Sequence, residues 1–360
     1  MKQLLTQTFL REQGLSALCG KFAIKAVWHG EFPHLVLLKY DQLNSPMAEM
    51  MVQECRGLIV DEANHWASVC VPFFKFFNVG EGNAAPIDWN TARVYEKLDG
   101  SLMSLFFYGG EWRVSSSGKP DAAGMMGNLG ISMAECFWRV WHELGYVMPS
   151  DRWRGATFMF EFMTPWNRVV VQHEKPRIVF IGCRDAEFQE FAPEEFAHWG
   201  WEIVKSFPIN SLTGVLEAAQ ELKPLHNEGY VVCDADFKRV KIKSPAYVAL
   251  HHLRDSFCRR RLVEIIQHNE SDEFLAYFPA FEPEYRDVKI RFDALVEATA
   301  IAWSALPQFA PHEQREFALA VKETPYAAVF FALRAGKTKS PKDFYAGMVP
   351  ERLLKLLDAP

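Results

Sequence analysis

Up to about residue 251, hydrophobic residues alternate with polar ones or form short β-branched runs, as strands do. LMSLFFY (102–108) and EWRVSSS (111–117) flank a Gly-Gly pair, which predicts a β-hairpin. GYVVCDADFKRVKIK (229–243) predicts a second hairpin that turns at 234–236. Further strands are predicted at TFMFEFM (157–163), RVVVQH (168–173) and RIVFIGC (177–183).

Helical spacing appears twice within this region and dominates after it. MAECFWRVWHEL (133–144) and LTGVLEAAQEL (212–222) carry apolar residues three and four positions apart. After Ser244-Pro245, the same spacing continues through AYVALHHLRDSFCRRRLVEIIQ (246–267), FDALVEATAIAWSAL (292–306), REFALAVKETPYAAVFFALRAG (315–336) and ERLLKLLDA (351–359). We therefore predict an α+β, antiparallel-sheet domain over residues 1–251 and a mostly α-helical C-terminal domain over 252–360.

Composition narrows the class of protein. The 360 residues are 49% hydrophobic and 23% charged, which is ordinary for a globular chain. A formal net charge of −6 argues against binding nucleic acid by bulk charge, but not against a local basic groove. Seven cysteines without a CxxC pair disfavour a disulfide framework or a zinc site. The sequence shows neither a signal peptide nor an apolar run of about 18 residues, so we expect a cytoplasmic protein without a membrane partner.

A lysine interrupts the strand pattern in YEKLDGSL (95–102). Lys97 stands two residues before Asp99 and Gly100, between two apolar stretches. Burying a lysine costs free energy unless it is paired or neutral. A solvated lysine at a hairpin edge, where it opposes aggregation, is the simplest reading of this residue alone. The three-position KxDG string is weak evidence for anything more specific.

Other charged residues at the edges of apolar strands favour a functional role for Lys97 over that of a solvated edge residue. Each has an ordinary explanation, such as a half-exposed glutamate or a solvated face of alternating lysines. The ordinary explanations do not account for the occurrence of all these residues in one particular order along the chain. In chain order the set is Arg56-Gly57, Lys75 among Phe73, Phe74, Phe76 and Phe77, then Lys97, Glu161, Glu228-Gly229, Lys241 and Lys243.

This ordered set resembles the covalent nucleotidyltransferase superfamily of ATP-dependent DNA and RNA ligases and mRNA capping enzymes. Lys97-Leu98-Asp99-Gly100 is similar to the nucleophile motif, and Lys241-Ile242-Lys243 to the fifth motif. The upstream RG, the FFKFFN segment (73–78) and VKIKSPAYVALHH (240–252) are most similar to ATP-dependent RNA ligases of the phage T4 RNA ligase 1 type. The resemblance covers roughly residues 50–252, and it implies an adenylation domain there.

The resemblance implies that Lys97 attacks the α-phosphorus of ATP, forming lysyl-AMP and releasing pyrophosphate. The attacking amine must be neutral, whereas a free lysine is charged at neutral pH. Desolvation and neighbouring cations favour the neutral amine, and here these cations would be Lys241, Lys243 and bound Mg²⁺ or Mn²⁺. Gly100 would let the backbone approach the phosphates, and Asp99 would position the loop rather than react.

The resemblance also assigns roles to the remaining residues. Glu161 would hydrogen-bond the ribose hydroxyls, and Glu228 would hold the divalent metal. Arg56 and Lys75 would grip the β- and γ-phosphates. Phe77 either lines the nucleotide site or belongs to the core. Two further residues, Glu96 and Arg184, are expected to contact the adenylate.

The chain departs from the T4-type pattern in one place. That type carries a basic residue just before a glycine in the strand after the nucleophile, whereas here Ser117 precedes Gly118 and Lys119 follows it. Lys119 would substitute from the next position, or the alignment slips by two residues. The departure concerns phosphate or RNA contacts and not the first chemical step.

The implied substrate is RNA with 5′-phosphate and 3′-hydroxyl ends, and a repair role on broken tRNA follows by analogy. Polynucleotides are polyanions, so we expect a basic groove. Candidates are the CRRRL run around 258–261 and RDVKIR (286–291), although residues 252–360 carry 15 Lys and Arg against 16 Asp and Glu. These runs are equally explained as solvated helix faces. Candidate stacking aromatics are Tyr277, Phe278 and Phe281, although aromatic residues on helices more often belong to the core.

Three other functions remain open at this point. A DNA ligase or a capping-type guanylyltransferase would share the motifs, but the strand pattern of an OB-fold is missing after residue 251. A non-catalytic nucleotide- or RNA-binding relative would not need the nucleophile that the sequence retains. No obligate protein partner is evident from the sequence.

Overall fold

The structure is a computed structural model that describes residues 3–126, 129–166, 171, 173–223, 226–248, 259–277 and 281–358. The chain forms two compact units, Met1–His251 and His252–Pro360. All strands of the described residues lie in the first unit. Across the same residues, none of the helices combines the length and hydropathy that a bilayer crossing requires.

The strands are numbered in chain order. They are β1 (Ile24–Trp28), β2 (Leu35–Tyr40), β3 (Arg56–Asp61), β4 (Ala67–Cys70), β5 (Phe77–Asn78), β6 (Arg93–Lys97), β7 (Ser101–Tyr108), β8 (Glu111–Ser116), β9 (Thr157–Met163), β10 (Arg177–Arg184), β11 (Glu190–Phe191), β12 (Glu202–Ile203), β13 (Ser206–Phe207), β14 (Gly229–Cys233) and β15 (Arg239–Lys243).

The helices are numbered in the same way. They are α1 (Leu5–Phe22), α2 (Met50–Glu54), α3 (Met133–Glu143), α4 (Leu212–Gln220), α5 (Arg259–Gln267), α6 (Ser271–Tyr277), α7 (Glu282–Ser304), α8 (Gln314–Val321), α9 (Ala327–Arg334), α10 (Pro341–Ala346) and α11 (Pro350–Leu357). Short 3₁₀ turns occur at Glu62–Asn64, Asp151–Trp153 and Pro193–Trp199.

The described strands form three sheets. The first has the antiparallel order β1-β2-β3-β4, and α1 packs on it through Leu10, Leu18 and Phe22. The second has the order β11-β10-β9-β7-β8, with β12 parallel to β10. Helix α3 covers this sheet, and the rings of Phe137 and Trp141 pack against its phenylalanines.

The third sheet carries the nucleophile motif. Its order is β13-β6-β14-β15-β5, and all its pairs are antiparallel except β15 with β5. Strand β6 is paired on both sides, so its register is fixed by two neighbours. Lys97, its last residue, lies opposite Gly229, the first residue of β14. Gly229 also lies opposite Lys243, the last residue of β15. The segments that contain Lys97, Glu228-Gly229 and Lys241-Ile242-Lys243 therefore meet at one end of this sheet.

Among its described residues, the second unit consists of helices joined by turns and loops, and it has its own apolar core. Phe274, Phe292, Phe317 and Phe330 are buried within it. The predicted fold class, an antiparallel α+β domain followed by helices, is confirmed. Both predicted hairpins are present, as β7–β8 and β14–β15.

Two details differ from the sequence-based expectation, and one prediction lies mostly outside the described residues. Helix α1 was not predicted, because its backbone leaves helical geometry at Gly14 and interrupts the periodicity. The predicted helix over 315–336 is two helices, α8 and α9. Of the predicted strand at 168–173, residues 168–170 and 172 lie outside the described residues, as do His251 and His252.

Candidate active site

A cleft of about 850 Å³ lies between the second and third sheets. Glu96 and Lys97 of β6, with the following Leu98, form one wall, and Glu161 of β9 and Lys241 of β15 face them from other strands. Apolar side chains from Leu102, Ile181, Val204 and Val231 complete it. A concave site that is mostly apolar, with a few converging charges, is typical of a small-molecule site.

Lys97 and Glu228 form an ion pair at the end of β6 and β14. The distance between Lys97 Nζ and Glu228 Oε2 is 2.5 Å, and the two side chains are only 19% and 7% exposed. Strands β14 and β15 approach closely at Gly229 because this residue has no side chain, and a Cβ there would lie 2.2 Å from the carbonyl oxygen of Ile242. Gly229 also lies opposite Lys97 in the β6–β14 pair, so the preceding residue, Glu228, stands beside the lysine.

The loop after Lys97 is held by Glu161. The amide nitrogen of Gly100 donates a hydrogen bond of 3.0 Å to Glu161 Oε1. A Cβ at Gly100 would lie 2.6 Å from the carbonyl oxygen of Phe162, so only glycine allows this approach. Burial raises the pKa of Glu161 to about 7; the charges of Lys97 and Arg56 oppose that shift and Glu228 reinforces it.

Asp99 is buried and anchors the same loop. Its carboxylate accepts hydrogen bonds from the amide of Val171 at 2.7 Å and from the hydroxyl of Tyr247 at 2.9 Å. The ring of His173 lies 2.9 Å from its carbonyl oxygen. These contacts suit a positioning residue. Tyr247 was not expected from the sequence, because nothing local links it to Asp99.

Positive charges gather on the opposite side of the cleft. Burial, reinforced by the charges of Lys75, Lys97, Lys243 and Arg56, holds the pKa of Lys241 well below its ordinary value. Lys241 Nζ and the Arg56 guanidinium each lie 5.4 Å from the centre of the Phe76 ring. Arg56 also donates to the carbonyl oxygen of Phe73 at 3.3 Å. This cluster of cations matches the charge of a nucleotide's phosphates.

Some of the expected site residues lie beside the cleft. Lys75, Phe77 and Arg184 line an adjoining groove of about 1300 Å³. Arg184 is buried, pairs with Glu190 and donates to the carbonyl oxygen of Pro72 at 2.8 Å. Lys75 Nζ lies 5.2 Å from the ring centre of Tyr40.

Two cleft residues were missed by the sequence reasoning. The ring of Phe76, rather than that of Phe77, lines the cleft. Arg239 also lines it and pairs with Glu190 at 2.6 Å. Arg239 alternates with Lys241 and Lys243 along β15, so the period of two already indicated that all three share one face. Lys243 lies opposite Gly229.

A second cavity of about 700 Å³ shares Glu96, Lys97 and Leu98 with the cleft. Glu96 accepts a hydrogen bond from the amide of Asn227 at 3.2 Å. Glu228 lines this cavity with Asp99, Val171, His173, Glu174, Lys175, Arg177 and His226. Lys97 therefore stands between two cavities, with its carboxylate partner in the second.

The departure at Ser117 has a structural counterpart. Lys119 is exposed and closes a turn with the amide of Ser116 at 3.0 Å. Lys39 of β2 reaches the same turn, because its Nζ lies 3.4 Å from where a Cβ of Gly118 would stand. Lys39 lies opposite Arg56 in the β2–β3 pair. A basic side chain therefore does approach this glycine, from a neighbouring strand.

The basic runs of the helical unit are engaged in ion pairs. Arg259 pairs with Asp287 and Asp358, and Arg260 and Arg261 both pair with Glu264. In the second run the pairs are Arg286–Glu282, Lys289–Asp293 and Arg291–Asp287. These pairs favour the helix-face interpretation. Phe281 packs on the core of the unit, and the side chains of Tyr277 and Phe278 lie outside the described part.

The family of the chain follows from its sequence relatives. A model of the RNA ligase family matches residues 54–247, and the chain belongs to that family. It is 24% identical over 378 aligned positions to an RNA ligase of Rhodothermus phage RM378, which covers 84% of this chain and 85% of the relative. It is 29% identical to a putative bifunctional polynucleotide kinase/RNA ligase of Autographa californica nuclear polyhedrosis virus.

The viral match covers 75% of this chain but only 41% of the relative, so the chain spans less than half of that protein. A solved archaeal ATP-dependent RNA ligase aligns with 98% of this chain and 81% of its own, at 13% identity and a TM-score of 0.46. A Naegleria gruberi RNA ligase solved with ATP and Mn aligns with 45% of this chain and 51% of its own, at 15% identity and a TM-score of 0.34.

Proposed function

We propose that this protein is an ATP-dependent RNA ligase that works through a covalent lysyl-AMP on Lys97. The observation that carries the proposal is the meeting of Lys97, Glu161 and Lys241 around one cleft, with Glu228 paired to Lys97 from the adjoining cavity, although the four come from separate strands or strand ends. Family membership supports the same reaction. A nucleotide-binding protein without catalysis would need the pocket but not the paired lysine.

In the first step, the neutral Lys97 amine attacks the α-phosphorus of ATP, and the bond to pyrophosphate breaks. Lys241 and Arg56 stabilise the negative charge that develops on the phosphates, and they are already in place before the reaction. Lys75, which lines the adjoining groove, would meet the distal phosphates. Glu161 accepts hydrogen bonds from the ribose while it holds the loop through Gly100.

The residues around Lys97 fit a divalent cation. Among the described residues, no group of three or more Asp, Glu, His or Cys side chains could hold a metal by itself. Mg²⁺ commonly binds through one or two carboxylates, several waters and the substrate's phosphates. Glu228 supplies such a carboxylate next to Lys97. When bound, the ion would neutralise phosphate charge, and Glu228 would exchange its lysine partner for it.

The later steps would pass AMP to the 5′-phosphate of an RNA strand and then join that end to a 3′-hydroxyl. RNA is proposed as the substrate because the family and the named relatives are RNA ligases. We propose that the helical unit selects the RNA, and that broken tRNA is one substrate. Mn²⁺ would serve in place of Mg²⁺.

The test is labelling of the purified protein with α-labelled ATP and Mg²⁺, followed by denaturing electrophoresis. We expect an acid-labile, alkali-stable label that Lys97→Ala abolishes and Lys25→Ala retains. Lys25 of β1 is the matched control, because it pairs with Asp41 and lines none of the three cavities described above. Labelling from GTP instead would point to a capping enzyme. A folded, AMP-free protein that takes up no label would leave a nucleotide-binding function.

A further inference from the structure

Two hairpin turns of the first unit have similar sequences, with Asp, Ala and Phe at the same positions, and the same hydrogen bonds. The turn between β10 and β11 is DAEFQ (185–189), and the turn between β14 and β15 is DADFK (234–238). In each, the phenylalanine amide donates to the carbonyl oxygen of the aspartate, at 3.1 Å and 3.0 Å. In each, the aspartate carboxylate accepts from the amides two and four residues later. The two turns therefore present equivalent residues.

Both phenylalanines adopt a left-handed backbone conformation. The φ angle is +62° at Phe188 and +59° at Phe237. Glycine and asparagine adopt this conformation readily, whereas a bulky residue is an outlier there. Outliers of this kind cluster at ligand sites, where the side chain is needed in spite of the strain. Both turns therefore hold an aromatic ring at the position where glycine would fit without strain.

The two rings line the same groove, the one of about 1300 Å³ beside the cleft. Both side chains are half-buried, so each has a surface left for a ligand. The groove also shares Phe73, Phe76 and Arg239 with the cleft that contains Lys97. A strand lying in the groove would therefore have continuous access to the bound nucleotide.

The charges of the groove suit a nucleic-acid strand. The Arg184 and Arg239 guanidiniums lie 4.2 Å and 4.1 Å from the ring centres of Phe74 and Phe73. Glu190 pairs with both arginines and Asp236 pairs with Lys238, and with four basic side chains against three acidic ones the groove keeps a small excess of positive charge. Glu54 accepts hydrogen bonds from Thr6. The ammonium group of Lys75, a further basic residue of the groove, lies over the rings of Tyr40 and Phe77.

We propose that this groove binds unpaired bases of the RNA substrate, and that Phe188 and Phe237 are the platforms on which bases stack. Aromatic rings bind bases of any sequence in this way, with nearby cations following the backbone. The proposal rests on the proposed RNA ligase function and adds the path of one strand to it. A merely structural role, in which each ring covers a neighbouring apolar cluster, makes different predictions for variants at these positions.

The experiment measures the affinity of the full-length protein for a short, fluorescent, single-stranded RNA with a 5′-hydroxyl end, which cannot be sealed. Phe188 is varied because it lines the groove but not the cleft. Phe188→Leu keeps the apolar volume and the strained backbone but removes the ring. Phe188→Gly relieves the strain, and Phe188→Trp keeps an aromatic face. Trp66→Gly is the matched control, because Trp66 is also aromatic and left-handed (φ +60°) but lines neither the groove nor the cleft.

We expect Phe188→Leu and Phe188→Gly to bind the RNA roughly 5- to 150-fold more weakly, the range for losing one stacked base. Phe188→Trp and Trp66→Gly should bind as the unmodified protein does, and a fully paired RNA duplex should compete poorly. All variants should keep labelling with ATP. Unchanged binding by Phe188→Leu, or an equal loss in Trp66→Gly, would overturn the groove proposal. A failure of the unmodified protein to label would instead overturn the ligase function.

Discussion

Lys97 and Glu228 hold each other at 2.5 Å across the ends of two neighbouring strands. The lysine is the proposed nucleophile, and the glutamate is the proposed metal ligand. An amine within this ion pair is a charged ammonium and has no lone pair with which to attack phosphorus. In the proposed mechanism, a cation held by Glu228 would take this carboxylate away from Lys97 and favour loss of the ammonium's proton, so activation of the lysine would depend on the metal.

Replacing Glu228 should change the metal requirement as well as the rate. In Glu228→Gln, the amide is similar in size but offers the cation no charge. We expect labelling with ATP to slow on the order of 100-fold and the half-saturating Mg²⁺ concentration to rise. Labelling rates across a Mg²⁺ titration would measure both. Glu174→Gln is the control, since Glu174 is exposed and lines the same cavity; an unchanged Mg²⁺ dependence in Glu228→Gln would contradict the assignment.

Glu161 should make the nucleotide-free protein less stable as the pH rises. Its pKa is raised from 4.5 to about 7, so the folded state binds the proton more tightly than the unfolded state. The stabilisation from this group is complete below pH 4.5 and is lost as the pH passes 7. Glu161→Gln mimics the protonated form and should gain up to about 3 kcal/mol relative to the unmodified protein over that range.

Urea unfolding of both proteins across this pH range, without nucleotide or metal, measures the difference. Glu187→Gln, an exposed glutamate on a neighbouring turn, should show no comparable trend. A difference between Glu161→Gln and the unmodified protein that stays constant with pH would show that Glu161 ionises normally.

Gly100→Ala should disrupt the nucleophile loop. The added Cβ would lie 2.6 Å from the Phe162 carbonyl oxygen and 2.8 Å from Met163 Cγ, so the loop must move away from Glu161. We expect a loss of about 1–3 kcal/mol in unfolding free energy together with loss of labelling. Gly82→Ala is the matched control, because nothing lies within 4 Å of its added Cβ. Normal labelling by Gly100→Ala would mean that the close approach is not required.

Tyr247→Phe tests the anchoring of Asp99. The variant removes the hydroxyl that donates to Asp99 Oδ1 at 2.9 Å, which should cost about 1–3 kcal/mol of stability. It should also slow labelling, because the loop that carries Lys97 loses one of its supports. Tyr345→Phe is the comparison, since that hydroxyl is equally buried and contacts Thr299 in the helical unit. If both variants label equally well once corrected for folded protein, Tyr247 acts only on stability.

The sequence was sufficient where local patterns determine the structure. The β7–β8 hairpin was predictable because alternating residues flank Gly109-Gly110, and both glycines have positive φ. Helix α3 was predictable from its apolar spacing and begins with the capping residues Ser132 and Glu135. Helix α1 was not, because the change of backbone at Gly14 means that no single period describes it.

Sequence motifs predicted the central residues of the site but not the residues that surround them. Phe76 and Phe77 are adjacent in sequence, and only the pairing of β5 with β15 decides which ring enters the cleft. A shift of one residue would exchange them. Arg184 resembles a ligand-binding charge at a strand end, but its partner Glu190 lies across a hairpin that the sequence did not indicate. Tertiary contacts, rather than propensities, settle such cases.

The link between Asp99 and Tyr247 spans 148 residues of sequence. Contacts of such separation form late in folding, because a long loop must close before they contribute. Strand β6 likewise finds its neighbours, β13 and β14, only in the later part of the first unit. A chain still emerging from the ribosome would therefore carry Lys97, the proposed nucleophile, before Glu228 and Tyr247 are available to pair with it and to hold its loop. Reactivity toward ATP should appear only after synthesis has passed residue 247. The order in which the chain is made therefore sets when the proposed reaction of Lys97 can begin.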